Sequence, residues 1–226
     1  MQSNKISIAF AGSTSRSLSL LKSLAQHPDF AISWVLTPSP KKVGRQQQLK
    51  KSPLQIWAED HNILVELVEE KVSPLPANFS TPDYLLVVDF GYLIPGWLLE
   101  LPNRASLNIH PSALPRWRGS SPGQFVLLSG ETTSAVSLIK LTSKLDAGPI
   151  IAQEFFEVDA SWTSADYYKH SFDLTQQHLP NWLLAYHQQQ LPEKPQPEKS
   201  PTPLAKKIKK SDAFIEWMLL EKTNQG

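Results

Sequence analysis

The sequence predicts an α/β domain with a central, mostly parallel sheet flanked by helices. Two observations carry this reading. Short strand-like runs alternate with segments of helical spacing through the first part of the chain, the β-α-β pattern of a doubly wound domain. One run, Tyr84–Val88, is apolar at every position, as expected for a strand covered on both faces of a parallel sheet.

The elements follow in order. Ile6 to Ala11 reads as a buried strand ending at Gly12. Ser13 to Gln26 reads as a helix with Leu18, Leu21, Leu24 and Ala25 on one face. Ile32 to Leu36 is a second strand, Pro38 to Pro53 a long polar loop, Leu54 to Asp60 a short helix and Leu64 to Val68 a strand. After Tyr84–Val88 come a strand at Ser106–Ile109, a helix at Gly123–Leu128 and strands at Ala135–Leu141 and Ile150–Val158. Thr163-Ser-Ala-Asp166 is a capping box with Asp in place of Glu. It opens a helical region in which Tyr168, Phe172, Leu179 and Leu183 recur, and Pro180 should kink or split it. Residues 1–189 thus form one domain, 190–210 a Pro- and Lys-rich extended linker, and 211–226 a tail segment.

Composition narrows the function classes. A chain of 226 residues with 41% hydrophobic content can bury a sizeable core. Its lack of cysteine excludes disulfides and thiolate metal sites, and fits a cytoplasmic enzyme. No apolar run is long enough to cross a membrane, and the N-terminus has no signal-peptide pattern. A net charge of +1 makes no global case for nucleic acid. There is no G-x-G-x-x-G, P-loop or H-E-x-x-H, so neither a dinucleotide nor a metal is expected. Histidines 27, 61, 170, 178 and 187 read as ordinary surface or core residues.

The informative stretch is Leu107-Asn-Ile-His-Pro-Ser-Ala-Leu-Pro-Arg-Trp-Arg-Gly119. Asn108 and His110 stand at i and i+2, so at the end of a strand they point the same way. In such sheets ligands bind beyond the strand C-termini. Further on, Leu145-Asp146-Ala-Gly-Pro149 puts a carboxylate on a tight turn. An amide, an imidazole and a carboxylate on strand-end loops suit acyl transfer. Taken singly, Asn108 and His110 could cap a strand end, and Asp146 could make an Asx-turn before Gly148.

This motif, with L-D-A-G-P-I, resembles the folate-dependent formyltransferases, and the likeness runs from about Ile6 to Trp217. The start Phe10-Ala-Gly12, the run Val87 to Pro95 and Pro115-Arg-Trp-Arg-Gly119 are similar to the branch that acts on methionyl-tRNA. The resemblance implies a Rossmann-like formyltransferase fold. It also implies formyl transfer from the co-substrate 10-formyltetrahydrofolate to the amino group of initiator methionyl-tRNA, in support of translation initiation, by a monomer that uses no metal or membrane. The family's catalytic Asn, His and Asp fall on Asn108, His110 and Asp146, and the chemistry of formyl transfer suits Asn108 as oxyanion donor. His110 would polarise or protonate the same oxygen, and Asp146 would orient His110 and take the amine proton. Phe90, Gly91, Tyr92, Leu93, Ile94 and Ser143 would hold the folate. Lys41, Lys42, Arg45, Lys50, Lys51, Arg116 and Arg118 would hold the tRNA, with Trp117 near the acceptor. The loop from Lys41 to Lys51 has five basic residues and no acid. It is also what a solvated loop looks like, as is Lys206 to Lys210.

Three departures keep other readings open. Asp89 stands where the family has a small residue, Pro111 where the tRNA branch often has glycine, and Gln46 to Gln48 interrupt the branch's basic loop. The tRNA branch also carries a second, β-rich domain after the segment matching Ser211 to Trp217. The chain ends at Gly226, either as a fragment or as a protein without that domain. A small amine acceptor, such as a nucleotide-linked amino sugar or glycinamide ribonucleotide, is the alternative. A non-catalytic folate- or RNA-binding homologue is a third.

Overall fold

A computed structural model describes residues 5–43, 47–209 and 212. Its centre is a seven-stranded sheet in the order β5-β2-β1-β6-β7-β8-β9. The strands are β1 (Ile6–Gly12), β2 (Phe30–Pro38), β5 (Leu64–Val68), β6 (Tyr84–Val88), β7 (Ala105–His110), β8 (Thr133–Lys140) and β9 (Ile150–Glu157). The first five in that order pair in parallel, and β8 and β9 are antiparallel. The α/β, mostly parallel architecture expected from sequence is therefore the one observed.

Alternate residues of β1 feed two separate cores. Ile8 and Phe10 pack with helices on one face, and Ala9 and Ala11 pack with Trp34, Leu36 and Leu98 on the other. All four are fully buried, which is why Ile8–Ala11 lacks the polar positions of a one-sided strand. Helices α1 (Ser15–Gln26), α2 (Pro53–Asp60) and α5 (Ser164–His187) lie on the first face. The second is covered by the short α3 (Gly96–Leu99) and by Val72, Leu75 and Phe79. Thr14 caps α1 reciprocally with Ser17, and Thr163 caps α5 reciprocally with Asp166, as its spacing indicated. The buried face of α1 is Ser17, Leu20, Leu21 and Leu24, with Leu18 and Ala25 only half-buried. Helix α4 (Pro122–Leu128) follows the motif loop.

Two expectations are corrected. Residues 38–53 are not simply a loop, because β3 (Lys41–Val43) and β4 (Gln48–Lys50) pair as an antiparallel ribbon. An exposed ribbon buries neither face, so no apolar alternation marks it. Pro180 does not split α5, which is assigned as one helix of 24 residues. Leu179 and Leu183 are fully buried on either side of the proline, and their packing carries the helix past the missing N–H.

The linker segment is irregular, as its prolines suggested, but it lies against the domain. Lys194 bridges Ile150, and Ala205 accepts from Ser121 N–H and donates to the Arg118 carbonyl. The basic run reaches described residues only as far as Lys209, and most of the 211–226 tail segment lies outside them.

Candidate active site

The C-terminal ends of β1, β6 and β7 lie side by side, so the loops after Gly12, Val88 and His110 converge. His110 is buried, and its Nε2 donates to the Trp117 carbonyl at 3.0 Å. The returning loop 111–121 is fixed by side chains from other elements. Tyr167 donates to the Pro111 carbonyl, Ser137 to that of Ser112 and Gln153 to that of Leu114. Burial pushes the Tyr167 phenol above its ordinary range, which keeps it a donor.

Asp146 sits on its turn with φ of 47° and is 8% exposed. Its Oδ2 accepts from the Gly119 N–H at 2.9 Å and stands 3.7 Å from His110 Nδ1. The expected pairing of Asp146 with His110 is thus a close approach without a hydrogen bond, and the carboxylate's hydrogen-bonded anchor is the Gly119 backbone. With Nε2 committed to a carbonyl, the proton that His110 can take or give is at Nδ1, the atom that faces the carboxylate. Gly148 permits the turn, since a Cβ there would lie 1.8 Å from the Lys140 carbonyl oxygen.

Two cavities meet at Asn108. The first, about 210 Å³, has apolar walls from Val87, Leu93, Ile94, Leu99 and Leu141, and also touches Ser143 and Asp146. The second, about 130 Å³, is lined by Asp89, His110, Gly119, Ser120 and Tyr168. Asn108 lines both, and its amide makes no hydrogen bond among the described residues. The wall between a mostly apolar chamber and a polar one therefore carries the amide, with the imidazole on one side and the carboxylate on the other. Leu93 is 87% exposed and Leu145 57% exposed at the mouth of the first cavity, where a bound ligand would cover them.

The sequence-derived residues divide accordingly. Asn108, His110 and Asp146 come together, as do Tyr92, Leu93, Ile94 and Ser143. Phe90 is instead buried in the second core beneath Tyr92, and Gly91, at φ of 81°, supplies the turn between them. Arg118 is corrected outright. It is only 7% exposed, and its guanidinium is held by the Gln196 side chain and the Pro197 and Glu198 carbonyls. Those bonds leave it no face for a nucleic acid. Trp117, expected near the acceptor, is a core residue whose indole donates to Glu131. Arg116 is half-exposed and paired with the same Glu131. Lys41, Lys42 and Lys50 are exposed on the β3–β4 ribbon, while Lys51 pairs with Glu59 at 2.6 Å. Arg45 lies outside the described residues.

Two supports escaped the sequence reading. Gln196 donates to the Asp146 and Gly148 carbonyls, tying the 190–205 strap to the carboxylate's turn. Arg16, on α1, pairs with Asp89. Neither has a local pattern, because each contact joins segments far apart in sequence. Among the described residues there is no group of three or more His, Asp or Glu placed to hold a metal ion. None of the described helices is long and apolar enough to cross a membrane.

Residues 4–183 match the family described as formyl transferase. The chain belongs to that family. This formyl transferase family member is 36% identical to the methionyl-tRNA formyltransferase of Anaplasma marginale over 65% of the chain and 50% of the relative. It is 33% identical to that of Buchnera aphidicola over 94% of the chain and 68% of the relative. It spans about half to two thirds of the length of these relatives. Among solved structures it is similar to phosphoribosylglycinamide formyltransferase from Anaplasma phagocytophilum. That likeness has a TM-score of 0.67 at 17% identity, over 89% of this chain and 99% of that one. It is also similar to an N-formyltransferase from Helicobacter canadensis in complex with folinic acid and dTDP-3-aminofucose. There the TM-score is 0.65 at 19% identity, over 92% and 72% of the two chains. These structural likenesses establish the fold.

Proposed function

We propose that the chain transfers the formyl group of 10-formyltetrahydrofolate to the amino group of initiator methionyl-tRNA, in support of translation initiation. The observation that carries this reading is Asn108 standing where a mostly apolar cavity meets a polar one. The flat pterin would enter the first cavity beside Leu93, Ile94 and Ser143, and the amine would enter the second. The amine nitrogen attacks the formyl carbon, and the new N–C bond replaces the bond from that carbon to N10 of the folate. The carbonyl oxygen gains negative charge as it does so, and the Asn108 amide, free of other partners, donates to it. The attacking nitrogen sheds a proton and N10 gains one. Asp146 Oδ1, which has no hydrogen-bond partner among the described residues, takes the first, while Oδ2 is held by the Gly119 N–H and stands 3.7 Å from His110 Nδ1.

The tRNA acceptor is supported by the relatives' names and by the exposed lysines of the β3–β4 ribbon. The ribbon sits at the donor cavity, for Lys41 Nζ lies 5.5 Å from the centre of the Tyr92 ring. One observation favours the second reading, a small amine acceptor: Arg118 is unavailable to RNA and Arg116 is already paired. Transfer from 10-formyltetrahydrofolate should be measured side by side with methionyl-tRNA, a dTDP-linked amino sugar and glycinamide ribonucleotide. Transfer to methionyl-tRNA that weakens with salt supports the first reading. Transfer confined to a small amine replaces it with the second. Folate binding without transfer to any of the three removes both.

A further inference from the structure

The second cavity has an acid that the expected chemistry does not use. Asp89 lines it together with Asn108, His110 and Tyr168. Its side chain is held from one oxygen only. Oδ2 accepts from Arg16 Nε at 3.0 Å and from Thr14 Oγ1 at 3.1 Å, and lies 2.8 Å from a second Arg16 nitrogen. Arg16 is in turn fixed against aromatic faces, 4.5 Å from the centre of the Tyr168 ring and 5.2 Å from that of Phe172. Oδ1 has no partner among the described residues, and the side chain is 21% exposed. The backbone turns with φ of 49°, uncommon for a residue other than glycine, and Ser13 donates to the Asp89 carbonyl.

We propose that Asp89 is a binding residue for the acceptor, its free Oδ1 taking an N–H of the incoming primary amine, with Arg16 as the positioning residue that sets the carboxylate's rotamer. This rests on the formyl-transfer reading and deepens it by naming the group that selects a basic nitrogen. The chemistry suits the place. An acceptor amine arrives largely as ammonium, and a carboxylate is the natural partner for it. Only the neutral amine attacks, so a bare carboxylate would hold the nitrogen in its unreactive form. The Arg16 guanidinium offsets that charge, leaving Oδ1 to orient the amine while Asp146, on the other side of Asn108, receives the proton.

The test uses whichever of methionyl-tRNA, the dTDP-linked amino sugar or glycinamide ribonucleotide the unaltered chain formylates fastest. Asp89→Asn keeps the shape and removes the charge. It should raise the acceptor KM about tenfold, the factor for losing one charge-assisted hydrogen bond, and leave the 10-formyltetrahydrofolate KM unchanged. Arg16→Met leaves the carboxylate in place but free to turn, and should raise the acceptor KM by a smaller factor, again without moving the donor KM. If Asp89 merely tethers the 89–95 loop, both variants should raise the donor KM, and that result overturns the proposal. An unchanged acceptor KM in Asp89→Asn overturns it as well, while leaving the formyl-transfer reading intact. Transfer by the unaltered chain to none of the three amines overturns both. Should Asp89→Asn fail to fold, an acceptor KM that Arg16→Met leaves unmoved decides against the proposal.

Discussion

Gln196→Ala measures how far the strap supports the site. The carboxamide makes four hydrogen bonds. Nε2 donates to the Asp146 carbonyl at 3.0 Å and to the Gly148 carbonyl at 2.6 Å, and Oε1 accepts from Arg118 Nε at 3.1 Å and from a second guanidinium nitrogen at 2.9 Å. A neutral hydrogen bond is worth about 1 kcal/mol net, and one to a charged group about 2 kcal/mol. Gln196 is half-buried, so water replaces part of what is lost. Arg118 is buried and keeps only the Pro197 and Glu198 carbonyls. The net cost should be about 2–3 kcal/mol of stability. Because the same side chain holds the Asp146 turn, turnover should also fall, with the donor KM little altered. Urea denaturation gives the first quantity and steady-state kinetics the second. A loss below about 0.5 kcal/mol, the level of an ordinary surface substitution, together with unchanged turnover would refute the claim that the strap braces the site.

Other outcomes follow from single contacts. Gly148→Ala drives a methyl into the Lys140 carbonyl and should cost about 3 kcal/mol, read from the urea midpoint. Thr163→Ala removes the reciprocal cap of α5 and should cost about 1 kcal/mol in the same assay. Hydrogen bonds from the Thr163 side chain and backbone hold the Asp166 carboxyl below its ordinary value of 3.8, so this cap's contribution is present above that pH. It should fade as pH falls through the lower folded value, and Asp166→Asn should abolish that part of the acid sensitivity. Replacing Lys41, Lys42 and Lys50 together by Ala should flatten the salt dependence of transfer to methionyl-tRNA while leaving transfer to a small amine unchanged. An unaltered salt slope would remove the ribbon from the tRNA interface.

What the sequence made legible was what local physics governs. Tyr84–Val88 announced itself because a strand buried on both faces has no polar position, and β6 has the bounds that the apolar run indicated. Asn108 and His110 could be paired because strand geometry fixes where i and i+2 point. Contacts between distant segments were not legible. Arg118 looked like one more surface cation, because the acceptors that bury it come from the strap, which composition marks only as an extended linker. Trp117 looked available for the same reason, its partner Glu131 lying beyond α4. The β3–β4 ribbon escaped because its polar residues meet solvent on both faces. Asp89 stood out as a departure from the family pattern, but its partner Arg16, 73 residues away, could not be inferred.

The central claim is that Asn108 stabilises the oxyanion at the junction of the two cavities. It is tested most directly by Asn108→Ala, with the binding of 5-formyltetrahydrofolate measured beside formyl transfer from 10-formyltetrahydrofolate. The account expects folate to bind and the fold to stay intact, while turnover falls about 10²–10³-fold, the typical cost of one oxyanion donor. Near-normal turnover in that variant would contradict it.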